Sequence, residues 1–268
     1  MTELHLKTPA EHFEYIRSML RLSFFFARKY LAPKFPEKAI GELIKTHTPA
    51  FYHGMFYNDI TANWSNHDCQ QIVERANRLK HLTPEDFEEE MWDFVKNIAR
   101  FRALENYPRS VGVSHPASWH CGSLTYDPPI SGDTVIPDNY TAIHIANGVG
   151  PHSIFEDQEY LLCCFKLLIK EIEIKYNAKG IYTCTWLNSN PNWLKFFPQE
   201  WLDNMEKADP VKLEVPGWSV ADWGQIISSR GTIRPYMDEF VRQNGRLKYM
   251  KLISYCSLAN LKKHLQKF

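Results

Sequence analysis

YTAIHIANGVGPHSIFEDQEYLLCCFKLLIKEIEIKYNAKGIYTCTWL, residues 140–187, is the stretch that decides the fold. Tyr140 to Asn147 and Ile181 to Leu187 are short runs rich in Ile, Thr and Tyr, bounded by turn residues, and both read as strands. Between them Ser153-Ile154-Phe155-Glu156 has the pattern of a capping box and is expected to open a long helix. Leu161, Leu162, Phe165, Leu168, Ile169 and Ile172 recur at helical spacing and form its wide apolar face. Asn177-Ala178-Lys179-Gly180 supplies the residues that end such a helix. Strand, helix, strand is a β-α-β unit, which implies two neighbouring or parallel strands and a right-handed crossover.

Upstream, Trp119 to Tyr126 reads as one more strand. The turn-rich connection Asp127-Pro128-Pro129-Ile130-Ser131-Gly132-Asp133 follows it. The first hundred residues are helical in pattern. Pro9 to Tyr30 places Phe13, Ile16, Leu20, Phe24 and Ala27 on one stripe, and His67 to Lys80 does the same with Ile72, Ala76 and Leu79. Thr83-Pro84-Glu85-Asp86 is a helix start, with a Thr cap, an early Pro and acids facing the dipole. Its helix carries Phe87, Met91, Phe94, Val95, Ile98 and Phe101 and is expected to end near Pro108. After Asn188 the chain turns irregular, with short helical pieces around Trp193 and Trp201. A longer helix is expected from Val220 to about Gln243 and a last one from Ser257 to Lys267. The expected fold is α+β over 1–268, one domain: a helix-rich 1–108, packed with a small mixed sheet in 109–190 that contains the β-α-β unit. A Trp-rich loop and C-terminal helices, 191–268, complete it.

Thirty-one basic and thirty-one acidic side chains cancel, so no global field draws the chain to nucleic acid or an anionic membrane. The longest nearly uncharged apolar run, Leu20 to Ala27, is far short of the roughly 20 residues a bilayer requires. Met1-Thr2-Glu3-Leu4-His5-Leu6 lacks the basic and apolar segments of a signal peptide. Six cysteines without a C-x-x-C pair read as reduced thiols. A cytoplasmic protein with a small-molecule substrate, no nucleic-acid partner and no membrane partner is expected; a homodimer is compatible with the composition. Aromatic residues reach 14%, which favours hydrophobic or aromatic ligands.

Histidine concentrates in one window: His115, His120, His144 and His152, four of eleven, fall within 115–152. His120 and His144 lie on two expected strands and Asp127 at the end of the first. Two histidines and a carboxylate make a general base oriented by an acid. The same three residues, His120, His144 and Asp127, are the ligands if a mononuclear metal is present; no compact metal motif accompanies them. Trp186, Asn188 and Trp193 follow the third strand, where α/β units form ligand crevices, and are expected to line the substrate pocket together with Asn147 and His152. Arg230 and Arg234, four apart, suit an anionic end of a substrate, Arg230 in the lead; Asp238 is the acid expected to pair with them if they lie on a solvated helix face. Cys184 is expected to be buried and inert. Glu88-Glu89-Glu90 and Asp93 are read as a solvated helix face.

Asn147-Gly148-Val149-Gly150-Pro151, between strand and helix, resembles the pyrophosphate loop of the N-acetyltransferase superfamily, whose strand-loop-helix-strand core binds coenzyme A. The resemblance covers about 45 residues and implies an acyl-coenzyme A substrate held on the loop amides. Ile145 stands where that family has Gln or Arg, and Pro151 removes one amide. The same glycines also suit a plain turn. No Rossmann fingerprint, P-loop or kinase signature is present, so no nucleotide cofactor is implied. The expected function is a small-molecule enzyme, an isomerase or cyclase, hydrolase or group transferase, working by histidine acid/base catalysis on a hydrophobic or aromatic metabolite. The alternatives are a mononuclear non-haem metal enzyme, a coenzyme A-dependent N-acyltransferase, and a non-catalytic binding protein with an aromatic docking surface.

Overall fold

Four polar side chains set the helix starts the sequence announces. Thr8 and Glu11 form a reciprocal capping box ahead of the helix Pro9–Phe26; Ser65 and Asp68 do the same for Asn66–Leu79. Thr83 Oγ1 accepts from the Asp86 amide at 3.1 Å and opens Pro84–Val111. Ser257 caps the terminal helix Leu258–Leu265. A computed structural model of the chain describes residues 8–51, 65–111, 121–145, 149, 153–217, 220–226 and 235–268. They gather into two units, a sheet unit within Ser114–Ala208 and Tyr249–Phe268 and a helical unit within Leu6–Val113 and Asp209–Lys248.

In the helical unit the stripe of Pro9–Phe26 is core: Ile16, Leu20 and Phe24 are fully buried, as are Phe87, Met91 and Val95 of Pro84–Val111. That second helix continues past Pro108 instead of ending there. Glu88 corrects the solvated-face expectation. Its carboxylate is buried and takes hydrogen bonds from Arg21 Nε at 2.7 Å and Arg242 Nη1 at 2.8 Å. Two guanidinium groups satisfy a charge that burial would otherwise penalise heavily. The helix expected over Val220 to Gln243 is two pieces among the described residues, Val220–Trp223 and Pro235–Asn244. Among those residues no helix is long and apolar enough to cross a membrane.

The sheet unit holds four strands in the order β1-β2-β3-β4: Leu124–Tyr126, Tyr140–Ile145, Gly180–Thr185 and Leu252–Ser257. β1 and β2 are antiparallel, with Thr125 opposite His144. β2 and β3 are parallel, with Ala142 opposite Tyr182, and β3 and β4 are antiparallel. The fold is therefore α+β with one β-α-β unit, as the sequence predicts. Its crossover helix is Gln158–Tyr176, ended by Asn177 in the left-handed conformation. The start moves downstream of the expected one. Asp157 Oδ1 accepts from the Tyr160 amide at 2.8 Å and is the cap, while Ser153 and Glu156 bond within a separate turn. β1 is shorter than the expected strand, and β4 was not expected at all.

Candidate functional site

Alternation along the strands gives the sheet two unlike faces. Leu124, Ile143, Ile181 and Cys256 point one way, into a cluster with Leu161, Phe165 and Leu168 of the crossover helix and with Trp193 and Trp201. Tyr140, Ala142 and His144 of β2, Tyr182 and Cys184 of β3, and Tyr255 of β4 point the other way. Near Tyr140 this second face is closed: Tyr140 meets Tyr255 edge-on at 5.9 Å, and its ring lies where a Cβ on Gly180 would be, within 2.1 Å. Toward the carboxyl ends of β2 and β3 the face opens, and His144 and Cys184 are exposed.

The register builds a polar pair there. Asp127 follows β1, and its amide bonds the Ala142 carbonyl at 3.1 Å. It lies two residues beyond Thr125, hence on the same face and diagonal to His144. The His144 Nε2–H donates to Asp127 Oδ2 at 2.7 Å, with the two side chains 51% and 59% exposed. Those exposures matter: a surface pair of this kind contributes about 0–1 kcal/mol of stability, so folding alone does not call for it. Burial, then the negative charges of Asp127 and Asp133, raise the Tyr182 phenol above its ordinary range. Asp133 is in turn held below the usual carboxylate range by the Ile136 and Val135 amides. The open end of the face thus carries an imidazole fixed by a carboxylate, a phenol kept protonated, and a thiol.

Other expected site residues lie elsewhere. Trp193 is fully buried, and its indole N–H donates to Asn188 Oδ1 at 3.1 Å. The Asn188 amide donates to the Thr183 and Leu252 carbonyls at 3.0 and 2.8 Å. Both side chains therefore belong to the core, which corrects their placement on a pocket wall; the amide ties the end of β3 to β4. Trp186 is half-buried and stacked on Tyr249 at 5.7 Å, at the end of β3 where the face opens. Cys184 is exposed, against the expectation of a buried, inert thiol. Asp238 pairs with Arg242 at 3.0 Å; the two arginines expected for it are not among the described residues. His120, Asn147, His152, Arg230 and Arg234 lie outside the described residues, as do most of the glycine turn and its Pro151. Among the described residues no group of three or more His, Cys, Asp or Glu side chains is arranged to hold a metal ion; His144 and Asp127 are two of the three ligands the sequence offers for one. Tyr182 and Asp133 were missed as site residues. Period-two spacing places Tyr182 on the face of Cys184, a signal that was available.

No protein-family model, no curated protein and no solved structure matches this chain.

Proposed function

We propose that the chain is a small-molecule enzyme in which His144, oriented by Asp127, moves a proton to or from a hydrophobic or aromatic substrate. The observation that carries this reading is the 2.7 Å bond between His144 Nε2 and Asp127 Oδ2 in exposed side chains. A carboxylate that accepts from one ring nitrogen fixes the tautomer and ring plane and leaves Nδ1 as the basic atom. The carboxyl ends of parallel strands are a common place for ligands in such units. Tyr182, on the face of His144, and Trp186, just after β3, are rigid aromatic rings that suit a planar or apolar substrate better than a highly charged one.

The test is a comparison of metabolite profiles. A cell-metabolite extract is incubated with the wild type and with His144→Ala, and small molecules are followed by mass spectrometry. The expected outcome is at least one apolar metabolite consumed by the wild type, at a rate about 100-fold or more lower in the variant, with the two melting temperatures alike. Equal consumption by both proteins would contradict the assignment of His144. Equal absence of consumption, with a partner protein retained through the same sheet face, would replace catalysis by binding.

A further inference from the structure

We propose that Cys184 is a nucleophile activated by the His144–Asp127 pair, and that the site transfers or hydrolyses acyl groups through a thioester on the Cys184 sulfur. The inference rests on the acid/base reading of His144 and narrows it to a substrate class: uncharged or apolar esters and thioesters.

Three observations converge on it. The first is register. β2 and β3 are parallel with Ala142 opposite Tyr182. The pairing ends with that pair, and two residues beyond it on each strand come His144 and Cys184, on the same face. Second, both are exposed, whereas Ile143 and Thr183, which precede them, are buried. Third, Asp127 holds the imidazole from the β1 side through Nε2, while Cys184 stands on the β3 side, so Nδ1 is the nitrogen left for the thiol. A nucleophile on β3, a base on β2 and an orienting acid just after β1 are thus set in the order that thiol catalysis uses.

The remaining thiols of the sheet unit supply a contrast. Burial pushes Cys121 up to about 11 and also raises Cys164 and Cys256. A thiol so shifted is a poor nucleophile at neutral pH. Cys163 is exposed on the crossover helix and serves as an internal reference. Tyr182, two residues before Cys184 on the same face, keeps its proton by burial and by the neighbouring carboxylates, which suits it to donate to a carbonyl oxygen that gains negative charge.

The chemistry balances with water as the co-reactant. His144 takes the Cys184 proton, and the sulfur attacks the carbonyl carbon of the ester. A carbon–sulfur bond forms, the bond to the leaving alcohol or thiol breaks, and His144 passes its proton to that leaving group. Water, giving a proton to His144, then attacks the S-acyl carbon. The acid departs and the proton returns to the Cys184 sulfur.

Two measurements on the full chain test the proposal. Iodoacetamide alkylation is followed at neutral pH by peptide mass spectrometry, and para-nitrophenyl butyrate is used to trap an acyl group. Cys184 should alkylate roughly tenfold faster than Cys163, with the advantage lost in His144→Ala and in Asp127→Ala. A butyryl group should appear on the Cys184 peptide and be absent from Cys184→Ser. Equal alkylation of Cys184 and Cys163, or a fast Cys184 indifferent to His144, would overturn the nucleophile. Metabolite consumption separates the two readings: loss in His144→Ala with full retention in Cys184→Ser defeats the thiol and leaves the base, whereas retention in both defeats both.

Discussion

The two faces of the sheet are made by alternate residues of the same strands, yet they differ in burial and in side-chain chemistry. Ile143 and Ile181 enter a cluster closed by Phe165, Trp193 and Trp201. One residue after Ile143 and three after Ile181, His144 and Cys184 stand exposed at the open end of the opposite face. A one-residue slip would exchange the two sets, so the register that buries the core also assembles the polar pair. Under the proposed function stability and chemistry separate by residue parity, and substitutions on the two faces should report on different quantities.

The sharpest contrast is expected from Ile181→Ala. Ile181 is fully buried, and loss of its side chain should cost about 2–5 kcal/mol in urea unfolding. A cost below about 1 kcal/mol would mean that the cluster repacks freely and that the buried face does not hold the register. Gly180→Ala comes next. Its new Cβ would meet the Tyr140 ring at 2.1 Å, and overpacking of this kind costs about 1–3 kcal/mol. The ring must move, so the β2–β3 register is disturbed from the closed end and Cys184 alkylation should slow together with the loss of stability.

Alkaline pH offers a smaller break. The Cys121 thiol, raised by burial, keeps its proton when folded up to about pH 11, whereas the unfolded chain releases it near the ordinary thiol value of about 8.5. Its contribution is complete below the lower value and is lost as pH rises toward the upper one. Melting temperature should therefore fall through this window, and the fall should be shallower in Cys121→Ala. An identical slope in the two proteins would show that the buried thiol does not drive it. The smallest effect belongs to His144→Ala, whose change in unfolding free energy should stay within about 0.5 kcal/mol. A loss as large as that of Ile181→Ala would make the pair a structural element and erase the difference between the faces.

The core of this arrangement was legible in the residues. The strand-helix-strand pattern over 140–187 and the ending at Asn177 follow from local spacing and turn chemistry, whereas the bond of His144 to Asp127 comes from the β1–β2 register, which the sequence does not reveal. β4 was not legible either, because Leu252–Ser257 runs directly into the last helix and Ser257 serves as both strand end and helix cap. Without β4, the role of Asn188 was hidden as well, since one of its two carbonyl partners is Leu252. Glu88 misled for a related reason: its partners Arg21 and Arg242 lie 67 and 154 residues away. Cys184 illustrates a third case. Parity alone places it on the face of Tyr182, but only tertiary packing decides which face is left uncovered, and for how much of its length.

Nitrogen-15 NMR of the His144 ring, recorded where the imidazole is neutral, bears most directly on the central claim. Donation to Asp127 predicts the tautomer with its proton on Nε2, and a shift toward a mixture of tautomers in Asp127→Ala. A proton on Nδ1, or a spectrum unchanged by loss of the carboxylate, would show that Asp127 does not orient the ring and would contradict the proposed base.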